Sequence, residues 1–349
     1  MARKSRYFLL FLLFINSLAY SQTATTPPER EITPSVGPYV KNGYDVFVTA
    51  EFLFWQAIQE QLTYAQTGVL TQPGTTITSS GKVHHPHFPW EPGFRIGLGF
   101  YPGHNGWDIY ARYTWLHSSS TDRAKSGNGN IAPIALIPSS FSNTSVNQIT
   151  SARSNWSLHY NVIDLELGRN FYLSRSLAVR PFAGLKATWQ DQDWNTRYRA
   201  GQVVINNSAA LLGTVRTNQD QDVWGIGIRM GANGSWYFCR GWGLVSDLAF
   251  SGVWMDYDND RKDIFQQDNT TSVTTVNVKK DNDSVKAVIE MMLGLRGEWW
   301  FSQERYHFSL QAGWEAQVWI NSGNFIYLIG QSNGDLTFSG LTVKARFDF

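Results

Sequence analysis

The chain has 349 residues, with 29 basic and 28 acidic side chains, so no strong net charge draws it to nucleic acid. Cys239 is the sole cysteine, which excludes an intrachain disulfide. Aromatic residues make up 15% of the chain and include fifteen tryptophans, more than an ordinary soluble core takes up and in keeping with the aromatic girdles of lipid-embedded barrels.

The opening "MARKSRYFLLFLLFINSLAYSQ" sets Arg3, Lys4 and Arg6 before an apolar stretch from Tyr7 to Leu18 and a small-x-small site at Ala19, Tyr20 and Ser21. That order predicts a secretory signal over 1–21. A periplasmic segment over 22–44 and an inserted barrel over 45–349 are then expected. No later apolar run approaches the ~18 residues of a transmembrane helix.

Period-two alternation, the mark of strands, recurs from there to the end. "DVFVTAEFLFW" carries Val46, Val48, Ala50, Phe52 and Phe54 on one face. "GFRIGLGFYPGHNGWDIYARYTWL" carries Phe94, Ile96, Leu98, Phe100, then Trp107, Ile109, Ala111, Tyr113 and Trp115. "NWSLHYNVIDLELGRNF" changes parity, from Trp156, Leu158, Tyr160 and Val162 to Ile163, Leu165 and Leu167; a β-bulge near 162 is expected. Further apolar rows end in or contain Trp189, Trp224, Trp236, Trp254 and Trp299, and the chain closes on "LTVKARFDF".

Tight turns ("YPGHNG", "NFYLSRS", "FCRG", "SQER") alternate with long polar stretches at 57–92, 117–154, 190–222, 256–284 and 321–335. Outer-membrane barrels sort their connections this way, short on the periplasmic side and long outside. The expected fold is an all-β transmembrane antiparallel barrel with both termini inward and an even strand number between ten and fourteen. Ten strands are strong; "QLTYAQTG", "GQVVINNSAALLGTV" and "TTSVTTVNVKK" are strand-like, which makes twelve the best expectation.

The greasy parity must then face hydrocarbon, and the sheet must close because lipid satisfies no backbone group. Trp107 and Trp115 lie eight residues apart on one face. At ~3.4 Å per residue and ~40° tilt they are roughly 21 Å apart along the normal, close to an apolar band about 25 Å tall. Trp107, Trp115, Trp189, Trp224, Trp236, Trp242, Trp254 and Trp299 are the expected interface aromatics. The opposite parity carries Arg95, Asp108, Arg112, Arg180, Lys186, Arg229, Asp247, Lys286, Glu290, Arg296, Glu298, Glu315, Lys344 and Arg346, with Asp164 and Glu166 joining after the bulge. Facing lipid, each Arg or Lys would cost ~2–4 kcal/mol at midplane, so these are the expected lumen residues. Both signs occur in similar numbers, which predicts little ion selectivity from the wall.

Several patterns carry less. His84, His85 and His87 in "VHHPHFPW" have only Glu91 nearby to complete a metal set, so no metal is expected. "GIGIRMG" lacks the spacing and helix of a dinucleotide fingerprint, and no cofactor is expected. His117 beside Ser118 is the best base–nucleophile pair for a barrel hydrolase, with a polar interface role favoured over it.

"GFRIGLGFYPGHNGWDIYARYTWL", "DLELGRNFYLSRSLAVRPFAGLKATW", "VWGIGIRMG", "VTAEFLFWQAIQEQLTYA" and "GLTVKARFDF" resemble the Legionella-type pore-forming outer-membrane protein family. The resemblance covers strands and tight turns; the long loops match poorly. It implies a pore of the bacterial outer membrane, similar in role to major outer-membrane proteins of chlamydia-like bacteria, with no catalytic motif. The terminal Phe349 matches the family's aromatic C-terminus and implies recognition by the barrel-insertion machinery. The expectation is therefore a non-enzymatic porin passing small hydrophilic solutes, with outer-membrane lipid and a homo-oligomer as further partners. The alternatives are a non-conducting structural or adhesive barrel and, last, a barrel hydrolase.

Overall fold

Extended, alternating sequence yields antiparallel strands and, among the described residues, no helix. The computed structural model describes residues 40, 43–68, 81–102, 106–127, 131–136, 145–174, 176–205, 211–239, 241–268, 272–327 and 334–349. The expected signal over 1–21 and most of the 22–44 segment lie outside them. The strands are β1 (Val46–Gln59), β2 (Ala65–Thr67), β3 (Val83–His84), β4 (Trp90–Phe100), β5 (Trp107–Lys125), β6 (Ile131–Pro133) and β7 (Ser145–Arg169). There follow β8 (Phe171–Tyr172), β9 (Leu177–Val204), β10 (Leu211–Cys239), β11 (Trp242–Gln267), β12 (Ser272–Phe301), β13 (Tyr306–Trp319) and β14 (Leu336–Asp348).

Ten of them form a ring in the order β1-β4-β5-β7-β9-β10-β11-β12-β13-β14, and β14 returns to β1 from Phe47↔Asp348 to Gln59↔Leu336. The sheet thus closes, as lipid demands. The short β2, β3 and β6 form a ribbon on the outer end of β7, and β8 folds back on β9. The ring holds ten strands rather than twelve, inside a sheet of fourteen elements. The three stretches that suggested extra strands went elsewhere: one became β2, and the others lengthen β9, β10 and β12.

Those extensions make the barrel lopsided. β7, β9, β10, β11 and β12 run for 25, 28, 29, 26 and 30 residues, whereas β1, β4, β13 and β14 have 14, 11, 14 and 13. About ten residues suffice to cross the apolar band, so the long strands stand well out of the membrane as a tall wall.

The outward face records where lipid ends. On β9 it reads Pro181, Ala183, Leu185, Ala187, Trp189, then Asp191, Asp193, Asn195, Arg197 and Arg199. Trp115, Asn161, Trp189 and Trp224 lie opposite one another in register, and Trp254 pairs with Ile226 beside them. These tryptophans mark the outer edge, and Trp107, Trp236, Trp242 and Trp299 sit at the strand ends beside the tight turns. All eight interface aromatics point away from the lumen. Directly beyond the outer girdle, Asp191, Asp222, Asp258 and Asp281 stand in one cross-strand row, with Asp193, Asp220 and Asp260 in the next.

The expected bulge near 162 is absent. β5 and β7 pair without a shift from Trp107↔Arg169 to Lys125↔Ser151, and the only irregularity of β7 against β9 is at Ile149/Ser151. Trp156, Leu158, Tyr160 and Val162 point inward together with Asp164 and Glu166, all at or below 3% exposure. The parity of the apolar residues changes because the surroundings change: above the membrane, water lies outside and the greasy core inside.

Candidate functional site: the barrel interior

The inward parity of β1, β4, β5, β7 and β9–β14 brings every expected lumen charge into one interior. The cations Arg95, Arg112, Arg180, Lys186, Arg229, Lys286, Arg296, Lys344 and Arg346 meet the anions Glu51, Asp108, Asp164, Glu166, Asp247, Glu290, Glu298, Glu315 and Asp348, one for one. Glu51 and Asp348 are additions to the set expected from sequence. Glu51 shares its parity with Phe47, Leu53 and Trp55, so β1 reads as apolar on both faces and hides it.

Most of these groups are paired. Lys186 Nζ, almost fully buried, reaches Asp164 Oδ1 at 2.8 Å and Glu290 Oε1 at 2.9 Å. Arg112 donates to Asp164 at 2.8 Å and Glu290 at 3.2 Å. Arg229 binds Glu166 and, at 2.8 Å, Glu290. Arg180 joins Glu166 at 2.9 Å to Asp108 at 2.5 Å. Its guanidinium lies against Gly168, where any Cβ would stand 2.5 Å from it, so this glycine makes room for the bridge. Arg95 couples Glu51 at 2.7 Å to Glu315 at 3.0 Å and also donates to Thr114. Nearer the tight turns, Lys344 faces Glu51, Arg346 faces Asp348, and Arg296 faces Glu298. His307 Nδ1 lies 2.8 Å from Asp348.

Two groups make no direct ion pair among the described residues. Asp247 accepts a hydrogen bond from Asn233, and Lys286 sits 5.6 Å over the Tyr257 ring. Between the charges remains a cavity of about 200 Å³, lined among others by Arg180, Asp247, Arg296, Lys344 and Arg346. It occupies the half of the barrel nearer the tight turns.

Above the charges the interior turns aromatic. Arg95 lies under Trp55 and Lys186 under Trp319, 5.3 and 5.7 Å from the rings. Tyr160 packs on Phe338 and Trp319, and Trp55 on Phe338. Higher still, Trp156 meets Phe88, Trp194 meets Phe325, and the Tyr198 hydroxyl donates to the Tyr64 carbonyl. Each buried tryptophan removes roughly 200 Å² from water, about 5 kcal/mol of hydrophobic stabilisation. Arg261 pins the segments that cap this core, donating to the Ile326 carbonyl at 2.7 Å and to that of Ala135 at 2.8 Å while paired with Asp263. Gln219 and Gln221 accept from the Ile326 and Asn324 amides. An ion-pair layer and, above it, an aromatic layer thus occupy the described interior.

The remaining sequence candidates do not assemble. His117 points outward and stacks on His159 at 4.2 Å, whereas Ser118 points inward and is fully buried. Opposite faces of a strand cannot share a proton, so this pair forms no base–nucleophile unit. His84 contacts Thr67, His85 its neighbour's carbonyl, and no group of three or more metal-ligating side chains occurs among the described residues. Cys239 is exposed and unpaired at the end of β10. Phe349 closes the seam by exchanging backbone hydrogen bonds with Val46 and stacking near Phe347.

No curated protein matches the sequence. Among solved structures the chain is similar to the outer membrane protease OmpT of Escherichia coli, at 10% identity over 88% of this chain and 97% of that one, with a TM-score of 0.37. It is similar to Ail, the attachment invasion locus protein of Yersinia pestis, at 7% identity over 86% and 97% with a TM-score of 0.23. A third likeness is to the P. putida toluene transporter TodX, at 8% identity over 89% and 91% with a TM-score of 0.28. Likenesses this low carry nothing about activity. The model of the family described as Legionella pneumophila major outer membrane protein precursor matches residues 36–349. With nearly the whole chain matched and a closed ring of strands greasy outside and charged within, the protein belongs to this Legionella major outer membrane protein family and is a β-barrel of the bacterial outer membrane.

Proposed function

We propose that the barrel is a narrow pore for small hydrophilic solutes whose resting conformation is shut. The charged lumen wall carries this reading. Replacing buried ion pairs by apolar side chains of like volume is often neutral or stabilising, so stability alone gives no reason to line a lumen with charges of both signs. A polar path does give one. The cavity of about 200 Å³ is the vestibule of that path, and the layer of Arg112, Asp164, Lys186, Arg229 and Glu290 is its constriction. Equal numbers of each sign support weak ion selectivity.

A second reading rests on the aromatic layer: a shut barrel working through its outer wall. Planar-bilayer recordings of refolded protein separate the two. Discrete current steps that scale with salt support the pore; silence from folded wild type and from a Lys186→Met, Glu290→Gln variant supports the shut barrel. The half-buried seam residue Phe349 fits delivery by the barrel-insertion machinery, and scrambling the last strand tests that through loss of surface protein.

A further inference from the structure

The outward face of the tall wall carries four arginines in a single cross-strand row. Arg123 on β5 stands opposite Arg153 on β7, Arg153 opposite Arg197 on β9, and Arg197 opposite Arg216 on β10. All four are exposed, and none has a carboxylate partner among the described residues. Like charges directly opposite one another destabilise a sheet, and here the conflict is repeated three times along one line. At ~4.8 Å between strands the line is roughly 14 Å long. On the same face, Thr121, Asn155 and Asn195 lie opposite one another two residues below, and Ser151 and Arg199 two residues above.

We propose that this row binds the phosphate-bearing sugars of outer-leaflet lipopolysaccharide. Each arginine stands eight residues farther out along its own strand than the register row of Trp115, Asn161, Trp189 and Trp224. By strand rise and tilt it stands roughly 21 Å beyond the girdle, out of the hydrocarbon and level with the glycolipid's sugars. The face looks sideways along the membrane, towards neighbouring lipid, and not upward into the medium. Guanidinium groups pair bidentately with phosphate, and the adjoining amides and hydroxyls suit sugar hydroxyls. No aromatic side chain lies beside the row on this face to stack a base, which argues against nucleic acid. Asp193 and Asp220, four residues nearer the membrane on β9 and β10, bound the site below.

The test uses the full chain refolded in phosphatidylcholine vesicles and a variant carrying Arg123→Gln, Arg153→Gln, Arg197→Gln and Arg216→Gln, its barrel checked by circular dichroism. Binding of phosphorylated rough lipopolysaccharide, of the same material after phosphatase treatment, and of heparin is measured at low and high salt. Wild type is expected to bind the phosphorylated glycolipid at least tenfold more tightly than the dephosphorylated form, to lose affinity with salt, and to lose about tenfold in the variant. Equal binding by the folded variant, indifference to the phosphates, or tighter binding of heparin than of glycolipid overturns the proposal, the last by assigning the row to a soluble polyanion. Bilayer current plays no part in the readout, so a failure here leaves the pore reading standing and the reverse.

Discussion

Replacing Lys186 by Met keeps most of the side chain's volume and removes its charge from between Asp164 and Glu290. The two contacts, at 2.8 and 2.9 Å, are each worth about 5–6 kcal/mol of attraction at an effective dielectric near 20, much of it offset by desolvation. Breaking such a buried pair on one side costs ~3–5 kcal/mol, because the partner carboxylates stay buried with less compensation. Glu290→Gln alone should cost a similar amount, since Arg112 and Arg229 also lean on it. The double variant restores the charge balance, so its loss should fall short of the summed single losses by about 1–3 kcal/mol. Urea unfolding in lipid vesicles, followed by tryptophan fluorescence, measures all four corners of the cycle. Strict additivity would refute the reasoning, because it would mean that these groups do not feel one another.

Other consequences are open to measurement. Leu293→Arg or Ile109→Arg puts a cation against lipid at ~2–4 kcal/mol and should block insertion, whereas Lys286→Met, on the inward face and leaving no carboxylate without its partner, should still insert; equal failure would mean that the faces are misassigned. Arg261→Met strips a buried Asp263 of its partner and frees the Ala135 and Ile326 carbonyls, so the cap segments should become cleavable by protease in an otherwise folded barrel; unchanged resistance would show that Arg261 is not the clasp. Partial burial and the carboxylates of Asp193, Asp222 and Asp260 push the Asp220 carboxyl upward. A raised folded-state value means that this group favours folding when protonated, and its contribution is lost as pH rises through the carboxylate range. Asp220→Asn should therefore flatten the rise in urea resistance on mild acidification; parallel pH profiles for the two proteins would count against it.

Lipid made the spanning half legible in the sequence. Where hydrocarbon lies outside, parity alone separated Ile109 and Leu293 from Arg112 and Glu290, and the tryptophans dated the edges of the band. The strand number was harder to read, because outside the membrane the same strands alternate aspartate and asparagine with threonine and glutamine, as at 190–196, and look like loop. The parity change in β7 was visible, but its cause was not: a bulge and an exchange of solvent leave the same trace in a sequence. Pairing within the lumen was likewise beyond reach, since Arg95 and Glu315 meet across 220 residues of chain. Whether the interior holds water or ion pairs is decided by the closure of ten strands, a number no single segment encodes.

A bilayer can reward only the stretches it wets, and Trp156, Trp194 and Tyr198 are beyond its reach. Their burial waits on 131–136 and 322–327, which arrive from far apart in the chain. The outer half therefore draws its stability from segments distant in the chain that pack together in water, independently of the belt that hydrocarbon stabilises.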